Sequence, residues 1–447
     1  MTDSWFLERL VGWGDDVALV FKDTETSYKT LVALVRAWRR RFEAEGVTAG
    51  RVVALEGSFS PNACGALLAL AELSAIAVPL TPIMRAHKSR FLEIAEASLC
   101  VDIDDADTAT LNAIERTVEN PLTKELILRG HPGLVIFSSG STGAPKAILH
   151  DFAKLLEKFR KPRQKKATLS FLLFDHIGGI DTLCNTFSSG GKIVTLERRE
   201  PEAVCEAIEK HQVHTLPTSP TFLNLLLISE AWAKRDLSSL KVIAYGTEPM
   251  PAGTLSRLQE VFPEVALVQT YGMSELGVLR SRSRGSESLF IKFTGDGIET
   301  KIVDGVLWVR AGSTMLGYLN APGLIDADGF LNTQDAVEVD GEYLRILGRA
   351  TDLINVGGQK VYPAEVENHL LGLENVEDVA VFGKAHPMMG QIVAARFKLR
   401  SPESLELFKR RMNAFCRERL ANYQIPRLVE LTEEEQFGAR FKKRRHE

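Results

Sequence analysis

The stretch from Val135 to Lys146 reads Val-Ile-Phe-Ser-Ser-Gly-Ser-Thr-Gly-Ala-Pro-Lys, and it restricts the chain more than any other segment. An apolar, strand-like run enters a loop of hydroxyl residues and glycines that ends in a lysine. Ser138, Ser139, Ser141 and Thr142 offer hydroxyl donors, Gly140 and Gly143 let backbone N–H groups approach an anion closely, and Lys146 adds positive charge. A loop of this composition suits phosphate. It is not the Walker pattern, which requires Gly-x-x-x-x-Gly-Lys-Ser/Thr.

Around this loop, strand-like runs alternate with helical patterns. Val17 to Phe21 and Val52 to Leu55 predict strands, and Tyr28 to Glu45 and Asn62 to Leu73 predict helices. The rhythm returns with strands at Lys192 to Leu196, His214 to Leu216 and Lys241 to Tyr245, separated by helices at Pro201 to His211 and Thr221 to Glu230. Parallel α/β sheets have this rhythm. From about residue 285 to 345 the pattern changes to short β segments with Gly and Asp turns, for example Lys301 to Val309, which suggests a small, mostly antiparallel subdomain. Beyond about 350 a compact mixed module follows, with helices at Ala364 to Leu371 and Leu405 to Leu420 and a strand at Val376 to Phe382. At 447 residues the chain is too long for one core.

Three further motifs follow the loop in order. Gln269 to Glu275 reads Gln-Thr-Tyr-Gly-Met-Ser-Glu, Thr333 to Asp335 reads Thr-Gln-Asp, and Gly348-Arg349 precedes Asp352-Leu-Ile-Asn-Val-Gly-Gly358 and Pro363-Ala-Glu-Val-Glu367. Together with the loop they resemble the signatures of the adenylate-forming (AMP-binding) superfamily, in its acyl- or aryl-CoA synthetase and acyl-carrier-protein ligase branch. The superfamily patterns are Ser/Thr-Ser-Gly-Ser/Thr-Thr-Gly-x-Pro-Lys-Gly, Tyr-Gly-x-Thr-Glu and Thr-Gly-Asp. Ala147, Ser274 and Gln334 depart from them.

The resemblance implies an α/β fold. A large N-terminal domain over 1–349 would hold doubly wound α/β subdomains and a small β subdomain, followed by a small mobile α+β domain over 350–447. It implies ATP-dependent activation of a carboxylic acid to an acyl-adenylate with release of pyrophosphate, then transfer to the thiol of CoA or of a carrier-protein phosphopantetheine. Ser138 to Lys146 would hold the β- and γ-phosphates. Ser274 would touch the α-phosphate and Glu275 would hold Mg²⁺, a hard ion suited to oxygen ligands. Asp335 and Arg349 would bind the ribose. Tyr245, Gly246 and Thr247 would wall the adenine on one side, and Tyr271 and Gly272 on the other.

The segment Phe174-Asp-His-Ile-Gly-Gly179 resembles the motif whose histidine sits beside the acid's carboxylate, which assigns that place to His176. Phe174, Asp175, Ser219, Tyr245, Val268, Thr270, Met273 and Leu276 would complete the acid pocket. Because these bring no charge other than Asp175 and His176, an uncharged substrate tail is expected. Amino-acid-activating relatives bind the substrate ammonium with an aspartate near Asp175, which leaves amino-acid adenylation as an alternative. Thr351 and Asp352 would form the hinge, and Gly357 and Gly358 the face past which the thiol arm reaches.

The end of the chain departs most. The superfamily closes on a Gly-Lys-x-x-Arg-like motif whose lysine bridges carboxylate and α-phosphate, and with Gly438 as its glycine, Ala439 stands in the lysine's place. The intact surroundings favour a lysine replaced by alanine. A lysine displaced to Lys442 or Lys443, or a relative that only binds acyl-AMP, are the other readings.

A net charge of −4 gives no reason to expect nucleic acid or an anionic membrane as partner. Its Cys64, Cys100, Cys184, Cys205 and Cys416 are scattered, which suggests neither a disulfide framework nor a metal site. The acidic N-terminus lacks a secretory pattern, so a cytoplasmic location is expected, as monomer or homodimer. The cluster Lys154, Lys158, Arg160, Lys161, Arg163, Lys165 and Lys166 suits CoA phosphates, an acidic carrier surface or a solvated helix face equally.

Overall fold

Residues 4–138 and 145–445 are described by the computed structural model. Val52–Glu56 and Ile76–Leu80 form the centre of a seven-stranded sheet and are buried along their whole length. Such strands need helices on both faces. One of those helices, Tyr28–Ala44, begins at Ser27, whose hydroxyl accepts the Thr30 N–H, and it buries Leu31, Val35, Trp38 and Phe42 along one stripe. It packs on Pro61–Glu72 so closely that a Cβ at Gly65 would lie 3.2 Å from Trp38 Cδ1.

Gly133–Ser138 joins the same sheet parallel to Ile76–Leu80, and Lys146–Asp151 returns antiparallel beside it, with Ser138 opposite Lys146. The residues on either side of the hydroxyl-rich segment, Ser138 and Lys146, are thus brought together. A second seven-stranded sheet places Ala266–Gln269, Val242–Tyr245, Thr215–Thr218, Ala167–Leu169, Lys192–Val194 and Val17–Phe21 in parallel, edged by antiparallel Thr24–Ser27. The expected helices there lie at Pro201–His211 and Pro220–Ser229.

Between residues 281 and 349 the chain forms a six-stranded antiparallel sheet. The expected short β segments around Lys301 to Val309 form a hairpin, Glu299–Val303 with Val306–Arg310. Asp304 and Gly305 turn it at φ of +51° and +78°, which the twist of a tight hairpin requires. The C-terminal module packs Pro363–Leu370 and Leu405–Arg417 on a five-stranded sheet around Val379, Val381, Phe397, Phe408 and Met412. After Leu428–Leu431 the tail leaves this module. Its Phe441 packs against Phe171 and Phe222 of the larger body, at ring-centroid distances of 5.3 and 5.6 Å.

All of the cysteines are unpaired and buried. Among the described residues no helix is long and apolar enough to cross a membrane.

Candidate active site

Asp335 lies on the strand Leu331–Asp340 and is buried. The residue before it, Gln334, takes φ of +61°, a left-handed conformation that explains why glycine is usual there. Thr333 fixes the bend, its hydroxyl accepting the Asp335 N–H at 3.1 Å and donating to Leu307 O at 2.7 Å. Tyr271 Oη donates to Asp335 Oδ2 at 2.7 Å, and Arg349 Nε lies 3.2 Å from Oδ1. Burial raises the Asp335 pKa, against the pull of Arg349 and Tyr271. Burial would lower that of Arg349, but the neighbouring carboxylate of Asp335 leaves it raised.

The two proposed adenine loops touch. A Cβ at Gly246 would lie 2.6 Å from Thr270 Oγ1, and Thr270 N donates to Tyr245 O at 2.8 Å. Tyr271 and Gly272 lead from this contact toward Asp335. Tyr245 sends its ring into the apolar core with 1% exposure, so its loop, with exposed Thr247, faces the cleft and its ring does not.

Ser274 and Glu275 sit at the end of a small hairpin, Tyr271–Met273 with Gly277–Leu279. Glu275 Oε1 accepts from Tyr318 Oη at 2.8 Å, and Lys146 Nζ stands 5.1 Å above the Tyr318 ring. The far end of the phosphate loop thus meets Glu275 through one tyrosine. Beneath them the fully buried His150 Nε2 donates to Ser274 O at 2.6 Å, and burial pushes its pKa down to about 4. Tyr318 and His150 lie outside the sequence motifs. His150 sits four residues after Lys146 on the same strand, a polar residue on a buried strand, which is the signal it offered. Ser139, Gly140, Ser141, Thr142 and Gly143 lie outside the described residues.

His176 caps the helix Ile177–Ser188, its Nδ1 accepting from Gly178 N at 3.0 Å. The following glycines are required by space, since a Cβ at Gly179 would lie 2.0 Å from Leu173 O. Burial first, then the charges of Arg440 and Lys442, push the His176 pKa down to about 3, so the ring is neutral. Phe174 is different: it lies in the core edge-on to Phe59 at 5.3 Å and leaves the pocket wall to its neighbours. Leu276 is likewise fully buried in the core.

The tail changes the reading of the chain's end. Phe441 has φ of +51°, the conformation glycine favours, Lys442 follows it, and Arg445 stands at the arginine spacing of Gly-Lys-x-x-Arg. Arg445 forks onto buried Glu367 at 2.9 and 2.7 Å, and Lys443 pairs with Asp378 at 2.9 Å. Lys442 keeps a solvent-open side. Crowding by protein, then the charge of Arg349, hold its ammonium below the ordinary lysine range, with Glu248 and Asp335 pulling the other way. It therefore stands in the field of Asp335, Arg349 and His176. Ala439, the expected lysine position, presents its carbonyl to Arg199 Nη2 at 2.8 Å, three residues before Lys442.

A family model described as "AMP-binding enzyme" matches residues 6–319, and one described as "AMP-binding enzyme C-terminal domain" matches residues 365–437. The chain belongs to the AMP-binding enzyme family. A feruloyl-CoA synthase from Amycolatopsis is 28% identical over 92% of this chain and 90% of its own. An anthranilate CoA ligase solved with anthranoyl-AMP superposes with a TM-score of 0.84 at 21% identity, covering 99% of this chain and 96% of its own. An o-succinylbenzoate coenzyme A synthetase from Bacillus subtilis, solved with ATP and magnesium ion, gives 0.76 at 23% identity over 97% and 96%. The large and small bodies of this AMP-binding enzyme thus follow the fold of solved adenylate-forming proteins.

In the AMP-binding enzyme's small domain, Thr351 and Asp352 form a single turn, Ala350–Asp352, at the junction, and Asp352 Oδ2 lies 3.8 Å from Arg445 Nη1. Gly357 and Gly358 are exposed, at φ of +59° and +90°, on a turn against Met389.

Proposed function

We propose that this chain activates a small carboxylic acid with ATP, forming an acyl-adenylate and pyrophosphate, and then transfers the acyl group to the thiol of CoA. The placement of Lys442 among Asp335, Arg349 and His176 carries the reading. A carboxylate oxygen attacks the α-phosphorus while the bond to the bridging oxygen of pyrophosphate breaks. Two anions must meet for this, and a lysine cation between them offsets their repulsion. Neutral His176 adds no charge beside the carboxylate. Asp335 accepts from the ribose hydroxyls, Ser274 faces the α-phosphate, and Ser138 and Lys146 begin and end the loop around the outer phosphates. The chemistry of Glu275, one buried carboxylate steadied by Tyr318, fits a magnesium ion that draws its other oxygens from phosphate and water. When bound, that ion neutralises phosphate charge.

In the second step the thiol sulfur attacks the acyl carbon, AMP leaves, and the thiol proton passes to solvent. Gly357 and Gly358 reach the cleft only after the small domain turns about Thr351 and Asp352. CoA is the acceptor the relatives' names favour. A carrier-protein phosphopantetheine uses the same thiol. Much of the basic cluster at 154–166 is already neutralised, Lys158 by Asp181, Arg160 by Glu157 and Lys165 by Asp16, which weakens it as a docking patch.

Amino-acid activation loses its support, because Asp175 pairs with Arg440 at 2.9 Å. With Lys442 rather than Ala439 in the lysine's role, the reading as a protein that only binds acyl-AMP loses its motive. The experiment is acid-dependent pyrophosphate release with hydroxylamine as trap, across aromatic, fatty and amino acids. Release with one acid class names the substrate class, and silence across the panel overturns the reading.

A further inference from the structure

Arg440 and Asp175 stand 265 positions apart in sequence and meet through Arg440 Nη2 and Asp175 Oδ2 at 2.9 Å. Asp175 is 4% exposed and fixed from behind, since Thr81 Oγ1 donates to the same oxygen at 2.9 Å. A carboxylate held in this way is a rigid anchor on the large domain. The tail residues on either side are held as well. Arg199 donates to Ala439 O at 2.8 Å and lies 5.4 Å over the Phe441 ring, while Ser219 Oγ donates to Phe441 O at 2.9 Å. Glu248 Oε2 accepts from Lys443 N at 3.3 Å.

Lys442 lies between these anchored residues, and its side chain is the flexible part. A long ammonium side chain aids a reaction only when its backbone is held, because ordering it otherwise opposes the reaction. Arg440 brings a side-chain ion pair to this clamp, two residues from Lys442, and its partner Asp175 is the residue before His176.

We propose that the Asp175–Arg440 ion pair is a latch that seats the tail for acid activation and opens for the thiol step. It rests on the ligase reading above. The pair requires the tail in the cleft, whereas presenting Gly357 and Gly358 requires the small domain to turn and withdraw it. Asp175 and Arg440 are positioning residues that act through Lys442. The Asp175 carboxylate, where a substrate ammonium was expected, receives the chain's own guanidinium.

The test uses the full chain with R440Q, R440K and D175N. Acid-dependent pyrophosphate release reads the first step, and thioester formation from supplied acyl-adenylate and CoA reads the second. Tryptic cleavage of the tail at Lys442 to Arg445 reads docking without catalysis. R440Q is expected to lower kcat of the first step at least tenfold with KM for ATP within threefold, and to leave the second step within twofold. R440K is expected to keep at least half of the first-step rate. R440Q and D175N should both speed tail cleavage. First-step rates within twofold of wild type in R440Q, equal loss in both steps, or a tail as protected as in wild type would each overturn the latch. If the wild-type chain releases no pyrophosphate with any acid, the ligase reading fails, and the cleavage comparison still decides whether the pair docks the tail.

Discussion

Tyr271 gives its hydroxyl hydrogen to Asp335 Oδ2 at 2.7 Å, both residues buried, so the wall of the proposed adenine slot is bonded to the proposed ribose carboxylate. Tyr271→Phe removes the donor and leaves a buried carboxylate oxygen without it, a loss of roughly 1–3 kcal/mol. The expected result is a KM for ATP raised about tenfold, since 1.4 kcal/mol is a factor of ten. An unchanged KM would mean that this bond does not shape the nucleotide site.

Lys442→Ala takes away the cation that stands near Asp335 and His176. Pyrophosphate release is expected to fall on the order of a hundredfold or more, the scale of losing one charge aimed at a meeting of anions. Thioester formation from supplied acyl-adenylate should change little. Ala439→Lys should give no gain, because residue 439 presents its carbonyl to Arg199. A gain in that variant would restore residue 439 to the lysine's role.

The nucleotide-binding motifs were legible because each is local: Thr333 to Asp335 and Tyr271 to Glu275 bring their groups together within a few residues. The end of the chain was less so: Lys442 stood only as an alternative to Ala439, because Phe441 precedes it where the motif has glycine, and a positive φ leaves no mark in a sequence. Gly438 drew the register to itself. Tyr318, Arg199 and Arg440 act across distances that only the fold closes, from 43 residues for Tyr318 to Glu275 to 265 for Arg440 to Asp175. The parallel sheets were readable from apolar runs such as Val52 to Leu55, and the short β segments around Lys301 to Val309 from the Asp304-Gly305 turn that divides them into a hairpin.

Glu367 is 4% exposed in its side chain and accepts both arms of Arg445. Glu367→Gln leaves a mostly buried guanidinium without its nearest counter-charge, with Asp352 farther off at 3.8 Å, which costs about 3 kcal/mol. Calorimetry or urea unfolding should show the small domain destabilised by that order. Burial would raise the Glu367 pKa, yet Arg445 and Lys443 leave it lowered. A depressed carboxylate stabilises the fold above its ordinary value, so this contribution is present at neutral pH and is lost as pH falls below the usual glutamate range. A variant as stable as wild type at pH 7 would refute the account.

His176 has its pKa pushed down to about 3. The unfolded chain therefore binds the proton first, between an ordinary histidine value near 6.5 and about 3. Stability from this group is complete above that upper value and declines as pH falls through the window. Proton titration followed by NMR should find the His176 ring neutral at pH 6, and His176→Gln should flatten the stability profile between pH 6 and 4. A ring that titrates near 6.5 would show that neither burial nor the charges of Arg440 and Lys442 act on it as described.

Phe441 sets two effects against each other. Its φ of +51° is a conformation that costs a residue with a side chain about 1 kcal/mol, which Phe441→Gly would relieve. The same change removes a ring stacked on Phe437 at 5.4 Å and packed on Phe171 and Phe222, a loss of roughly 3 kcal/mol. Packing outweighs strain by about 2 kcal/mol, so restoring the usual glycine should loosen the tail and lower the rate of pyrophosphate release rather than raise it. Phe441→Leu separates the terms, because it keeps the strain and part of the packing. It should fall between wild type and the glycine variant, and a glycine variant faster than wild type would mean that strain in the backbone before Lys442 governs the step.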